Sequence, residues 1–202
     1  MEAGKSAKTL SLTFDDGPEP GWTERVLEEL ERCRVRATFF LTGDRSRRHW
    51  RVLSALVCSG HELQLHCHRH VRHTELTAAQ LARDTEQALE TLAEAGVTPR
   101  LWRTPWGVRT EGSERVAQAF GLRLVGWSMD THDWRGDPAG QMLDRIRPRL
   151  GEGGAILMHD GLGPGARREG CGNTVELIAP LSAAARDLGL AIEPLTAGAL
   201  AG

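Results

Sequence analysis

The 202-residue chain is 40% hydrophobic and 26% charged with a net charge of −2. That profile suits a single globular domain spanning 1–202 and offers no basic surplus for nucleic acid or an acidic membrane. Its apolar runs are too short to cross a bilayer, and its four scattered cysteines (Cys33, Cys58, Cys67, Cys171) form no Cys-x-x-Cys pair, which argues against a disulfide framework or thiolate zinc cage and predicts buried free thiols.

The opening residues Met1 to Lys5 lead directly into the first predicted strand and leave no room for a signal peptide. The chain is therefore expected in the cytoplasm if Met1 is its native start, and outside it if a leader has been removed. Short runs rich in Val, Ile, Leu and Phe predict strands at 9–14, 37–41, 62–65, 101–103, 123–127, 155–158 and 190–193. Between them, helical patterns occupy 23–33, 48–58, 78–95, 112–120, 140–150 and 175–188. The helix at 78–95 is the clearest: Thr77 and Gln80 make a capping box, Leu81, Thr85, Ala88, Leu89 and Leu92 share one face, and Gly96 stops it.

Such an alternation of strands and helices implies an α/β fold with a parallel sheet, either open and doubly wound or rolled into a barrel. "ATFFL" and "AILM" do not alternate apolar with polar residues, as befits strands buried on both faces. No glycine-rich phosphate loop follows the first strand, which disfavours a nucleotide-binding sheet. The stretch 161–172, "GLGPGARREGCG", reads as a flexible loop inside the domain.

The first strand ends in "TFDDGP", where Asp15 and Asp16 place two like charges side by side. Asp-Gly-Pro is also ordinary turn chemistry, so the hexapeptide alone does not decide its role. The other polar clusters do more. "HCHRH" follows strand three, "RTPWG" strand four, "DTHDW" strand five and "HD" strand six. Carboxyl ends of parallel strands share one face, and that is where active sites of such proteins sit. His66 and His70, at i and i+4, can reach one metal ion, and two histidines with a carboxylate make a catalytic zinc set. Zinc lowers the pKa of bound water toward about 7. Adjacent aspartates then divide the work, one toward the metal and one free to act as a base.

These five stretches, from residue 13 to residue 159, match in order the motifs of a known family: the chain resembles the polysaccharide deacetylases of the NodB homology type, carbohydrate esterase family 4. The resemblance implies a distorted (β/α) barrel of about seven parallel strands. It also implies metal-dependent removal of acetyl groups from N-acetylated sugars, or from O-acetylated ones in some members, so the expected partner is an acetylated carbohydrate. Asp16, His66 and His70 look like the ligands of one divalent ion, zinc in the first instance, with cobalt and nickel suited to the same donors. Asp15 would be the general base, held ionised and oriented by Arg103. His159 would be the general acid, its charged form supported by Asp133. Trp134 and Leu157 would wall the acetyl pocket, and the backbone N–H of Trp106 would help hold the oxyanion.

The chain departs from the family pattern at two positions. Tyr is usual where Trp106 stands, and Ser or Thr, able to brace the ligand loop, where Cys67 stands. His68 also creates a His-x-His pattern like that of amidohydrolase barrels, a rival reading that the aspartates on strand one disfavour. His49, His61, His73 and His132 have no motif role and are expected on the surface or in loops, with His132 near the cleft. Trp22, Trp106 and Trp134 belong to strand-end loops where sugars could stack, whereas Trp50, Trp102 and Trp127 are expected in the core. Asp160 is expected to cap a turn. Two other functions remain to be separated from sugar deacetylation: hydrolysis of a non-sugar amide by the same machinery, and sugar binding without catalysis.

Overall fold

A computed structural model describes residues 8–196; segment 1–7, on which the expectation of no signal peptide rests, lies outside the described residues. The elements in chain order are β1 (Thr9–Asp15), α1 (Trp22–Cys33), β2 (Thr38–Thr42), α2 (Gly43–Arg48), α3 (Trp50–Cys58), β3 (Glu62–Cys67), α4 (Ala78–Glu94) and β4 (Leu101–Trp102). They continue with α5 (Glu111–Ala119), β5 (Arg123–Leu124), β6 (Met129–Asp130), α6 (Ala139–Leu150), β7 (Gly154–His159), α7 (Gly172–Asp187) and β8 (Ala191–Ile192).

All strand pairings are parallel, in the order β5-β4-β3-β2-β1-β7-β6. β8 pairs with Thr9 and Leu10 of β1, on the edge that β2 leaves open by pairing only from Thr13 onward. The sheet curls into a distorted, open (β/α) barrel with β5 and β6 at its free edges. β1 and β2 are central and almost wholly buried, which is why their sequences run apolar without alternation. Phe14 and Phe39 stack across them with centroids 5.1 Å apart, and each such buried ring or leucine contributes about 2 kcal/mol.

The capping box of α4 forms as its sequence requires, with Gln80 N–H donating to Thr77 Oγ1 and Thr77 N–H to Gln80 Oε1. Leu81, Thr85, Ala88 and Leu92 are buried on one face. Elsewhere the tertiary structure revises local expectation. The helix expected at 48–58 begins at Gly43 and breaks at His49, giving α2 and α3. The strand expected at 123–127 stops at Leu124, and a separate strand, β6, forms at Met129–Asp130 beside β7.

Several side chains move with these changes. Trp127, outside any strand, is half-buried rather than in the core, and Trp50 is exposed on α3. Trp102 is buried as expected. His73 is buried, not superficial: it stacks obliquely on Trp102 and bonds Ser113 Oγ at 2.8 Å, and burial lowers its pKa to about 4, so it sits in the core as neutral imidazole. Of the cysteines only Cys67 and Cys171 are buried; Cys33 is half-buried and Cys58 exposed. Among the described residues, no helix is long and apolar enough to cross a membrane.

Candidate active site

Parallel pairing delivers the chemistry to one rim. Asp15 and His159 are register partners at the ends of β1 and β7, and Asp130 pairs with Leu157 one strand further on. On the other side, β3 carries His66 and β4 leads into Arg103.

Asp16 turns the chain. Its φ of 75° lies in the left-handed region, a conformation that costs a residue with a side chain roughly 1–2 kcal/mol. The turn sends the two neighbouring carboxylates to different partners. Asp15 Oδ1 accepts from Arg103 Nη1 at 2.8 Å, while Asp16 Oδ1 lies 3.4 Å from His66 Nε2 and 3.2 Å from His70 Nε2. The glycines of the 161–172 loop permit this geometry: a Cβ at Gly163 would overlap the Asp16 carboxylate, and one at Gly161 would lie 2.7 Å from the Asp16 carbonyl oxygen.

Asp16, His66 and His70 present one donor atom each, all within 4.8 Å of one another. Asp16 Oδ1 is buried without a hydrogen-bond donor. An uncompensated carboxylate facing two imidazoles fits a divalent cation. The electrostatics agree. Burial opposes the charge on Asp16, but the two histidines outweigh it and hold its pKa well below the usual carboxylate range. Burial likewise opposes protonation of His66, and Asp15 and Asp16 outweigh it and raise its pKa. The pocket is thus built to stabilise positive charge beside Asp16.

Each candidate ligand histidine is held from behind. His66 Nδ1 lies 2.7 Å from the carbonyl oxygen of Arg103, which can only accept, so Nδ1 carries the proton and Nε2 is left to bind. His70 Nδ1 has no hydrogen-bond partner; its ring is instead packed edge-on against Trp106, with centroids 4.2 Å apart. The loop between them is braced by Asp84 on α4, whose carboxylate accepts from His68 N–H at 2.8 Å and Arg69 N–H at 3.0 Å. Cys67 itself is buried, and burial first, then Asp84, pushes its thiol pKa well above the usual value. It packs as a neutral thiol, and the brace that Ser or Thr would supply comes from Asp84. His68 lies against Gly43 and takes no part in the cluster, which disposes of the His-x-His reading.

Arg103 is wholly buried inside the barrel, beneath Phe40, with Nη1 also donating to Thr13 Oγ1 and Nη2 to the Gly126 carbonyl. Burial lowers its pKa against the pull of Asp15. Opposite stands the second pair. His159 Nδ1 lies 2.7 Å from Asp133 Oδ1, and Asp133 Oδ2 accepts from the His159 N–H, Arg168 Nη1 and Thr174 Oγ1. Burial opposes both charges, yet their mutual attraction wins: His159 is raised to about 9 and Asp133 lowered to about 2. His159 is therefore an imidazolium at neutral pH.

Asp15, Asp16, His66, His70, Trp106, Trp134, Leu157 and His159 all line one cleft of about 290 Å³, while Arg103 and Asp133 stand behind it. Trp127, Asp130 and Arg168 also line it; Asp130 opens the "DTHDW" cluster without having been given a role, and the other two were missed by motif reasoning. Arg168 carried no local signal, because the loop expected to be flexible is tied down only in the tertiary structure, by Arg168 to Asp133, Asn173 and the His159 carbonyl. Trp22 is not at the cleft but packed against Gly170 and Arg25. His132 is held beside it by its backbone N–H, which donates to Asp130 Oδ1 at 2.7 Å. Asp160 caps no turn; it fills the space beside Gly17, accepts from Thr23 Oγ1 and is raised by burial to about 7.

With this geometry in hand, similarity to known proteins decides the family. A profile of the polysaccharide deacetylases matches residues 2–125. The chain belongs to the polysaccharide deacetylase family. A chitooligosaccharide deacetylase from a Bradyrhizobium species is 30% identical over 93% of this chain and 89% of its own length. A peptidoglycan-N-acetylglucosamine deacetylase from Bacillus cereus is 29% identical over 85% of this chain, which spans 62% of that longer protein. Among solved structures, a family 4 carbohydrate esterase from Streptomyces lividans, in complex with acetate, superposes with a TM-score of 0.84 at 29% identity, covering 95% of both chains. A family 4 pseudoenzyme from Bacillus anthracis shares the fold equally well, with a TM-score of 0.84 at 21% identity. Within this family the fold does not by itself establish turnover, so the residues in the cleft must carry that argument.

Proposed function

We propose that this polysaccharide deacetylase is a metal-dependent hydrolase that removes acetyl groups from N-acetylated sugars. The observation that carries the reading is one metal-capable cluster flanked by opposed proton-transfer pairs, Asp15–Arg103 on one side and His159–Asp133 on the other. A binding-only relative has no need of a buried arginine on one carboxylate and a buried carboxylate on one histidine.

Asp16, His66 and His70 would hold a single divalent ion, zinc by preference, which supplies a Lewis acid for the attacking water and the acetyl carbonyl. The remaining work falls to the chain. Asp15 keeps Oδ2 clear of Arg103 and is the base that takes the water's proton. Trp134 and Leu157 wall the acetyl group and exclude bulk water. The Trp106 N–H is assigned to the developing oxyanion. His159, its Nδ1 engaged by Asp133, gives the proton on Nε2 to the departing amine. One proton is taken and one delivered, leaving acetate and a free amine.

Acetate release from chitin oligomers, peptidoglycan fragments and acetylxylan, before and after chelation and zinc addition, tests the reading. Sugar binding without acetate release in the zinc-loaded protein would overturn it, and turnover confined to small linear amides or to O-acetyl esters would reassign the substrate.

A further inference from the structure

Trp106 and Trp134 are the residues at this cleft expected to stack on sugar rings, yet both are covered by guanidinium groups. Arg72 lies 4.3 Å from the Trp106 ring centroid, and Arg135 and Arg167 lie 5.1 and 5.6 Å from that of Trp134. All three arginines are exposed, and none is paired with a carboxylate among the described residues. The carboxylates of the adjoining loop are already engaged: Asp130 with His132, Asp137 with Arg145, and buried Asp133 with Arg168 and His159. Glu169 is exposed, and no ion pair joins it to these arginines among the described residues. In a chain of net charge −2, three cations without an ion-pair partner among the described residues thus stand on the two tryptophans that line this cleft.

Stacking on indole holds a guanidinium in place without using its N–H edge, which stays free to grip a carboxylate bidentately. We infer that Arg72, Arg135 and Arg167 form an anion-binding rim, and that the substrate is an acidic glycan carrying a carboxylate on a sugar next to the acetylated one. This rests on the deacetylase reading and narrows it. Two carboxylate sources share the required chemistry, a lactyl ether and a uronic acid, and the test separates them.

The experiment compares three glycans of equal length on the zinc-loaded protein: a chitin oligomer (neutral), a hyaluronan fragment (uronate) and a peptide-free peptidoglycan strand (lactyl ether). Binding is measured by calorimetry and turnover by acetate release, at low and high salt. At least one acidic glycan is expected to bind and react about ten-fold better than chitin at low salt, the scale that three exposed charge pairs supply, and the advantage should shrink as salt rises. Combining Arg72→Gln, Arg135→Gln and Arg167→Gln should bring the acidic-to-neutral ratio close to one, with Arg72→Gln alone giving a partial loss. An unaltered protein that binds chitin as well as both acidic glycans, or a ratio indifferent to salt and to these substitutions, would overturn the rim. Calorimetry needs no turnover, so absent acetate release sinks the deacetylase reading while the binding ratios still decide the rim.

Discussion

Replacing Asp133 by asparagine is the sharpest test of the acid side. In the folded protein His159 stands at about 9 against an ordinary 6.5, a difference of about 2.5 units, or roughly 3 kcal/mol in favour of the protonated form. Burial works against that form, so the gain comes from the Asp133 carboxylate, with smaller help from Asp16 and Asp15. The Asp133→Asn side chain would keep the shape and lose the charge, leaving burial to bring His159 to 6.5 or below. At pH 7.5 the protonated fraction then falls from nearly all to about one tenth, and kcat falls by about that factor. Loading a cation offsets Asp16 and Asp15, so the alkaline limb of the loaded enzyme lies below 9, but its separation from the variant's persists.

The assay is kcat/KM against pH from 5 to 10, paired with the His159 imidazole titration by NMR. An alkaline limb in Asp133→Asn within half a unit of the parent's would refute the reasoning. Stability follows the same pair. His159 is raised, so its contribution is full below about 6.5 and lost as pH rises through 9; Asp133 is lowered, so its contribution is present above about 4 and lost as pH falls through 2. Thermal midpoints of the parent protein should therefore decline on the alkaline side by more than those of Asp133→Asn, whose overall stability is reduced because Arg168 loses its buried partner.

Asp15→Asn should retain the metal, measured by elemental analysis, and lose about a thousand-fold in turnover, because the ligands survive and the base does not; substantial residual activity would remove Asp15 from that role. His66→Ala should lose metal and activity together, and full metal occupancy in this variant would show that the cluster is not the metal site. Asp84→Ala leaves two backbone donors of the ligand loop unpaired, so we expect destabilisation of about 1–3 kcal/mol and metal affinity down by about ten-fold. Chelator competition reads the affinity, and an unchanged value would mean that the loop holds its shape without Asp84.

Much of this protein was legible in the chain. Uninterrupted apolar runs, helix-length spacers and the capping box at Thr77 are local signals, and local chemistry specifies them wherever the chain goes. The ends of parallel strands must face the same way, so Asp15, Asp16, His66, His70 and His159 could be gathered into one site before any contact was known. What the chain did not disclose depends on where loops travel. Asp84 braces a loop 15 and 16 residues away, Arg168 reaches Asp133 across 35 residues, and Trp127 turns to the cleft because its strand ends early. The guanidiniums that cover Trp106 and Trp134 are as invisible in sequence as any surface arginine. Contacts of this kind are set by the packing of distant segments, and no periodicity, spacing or motif encodes them.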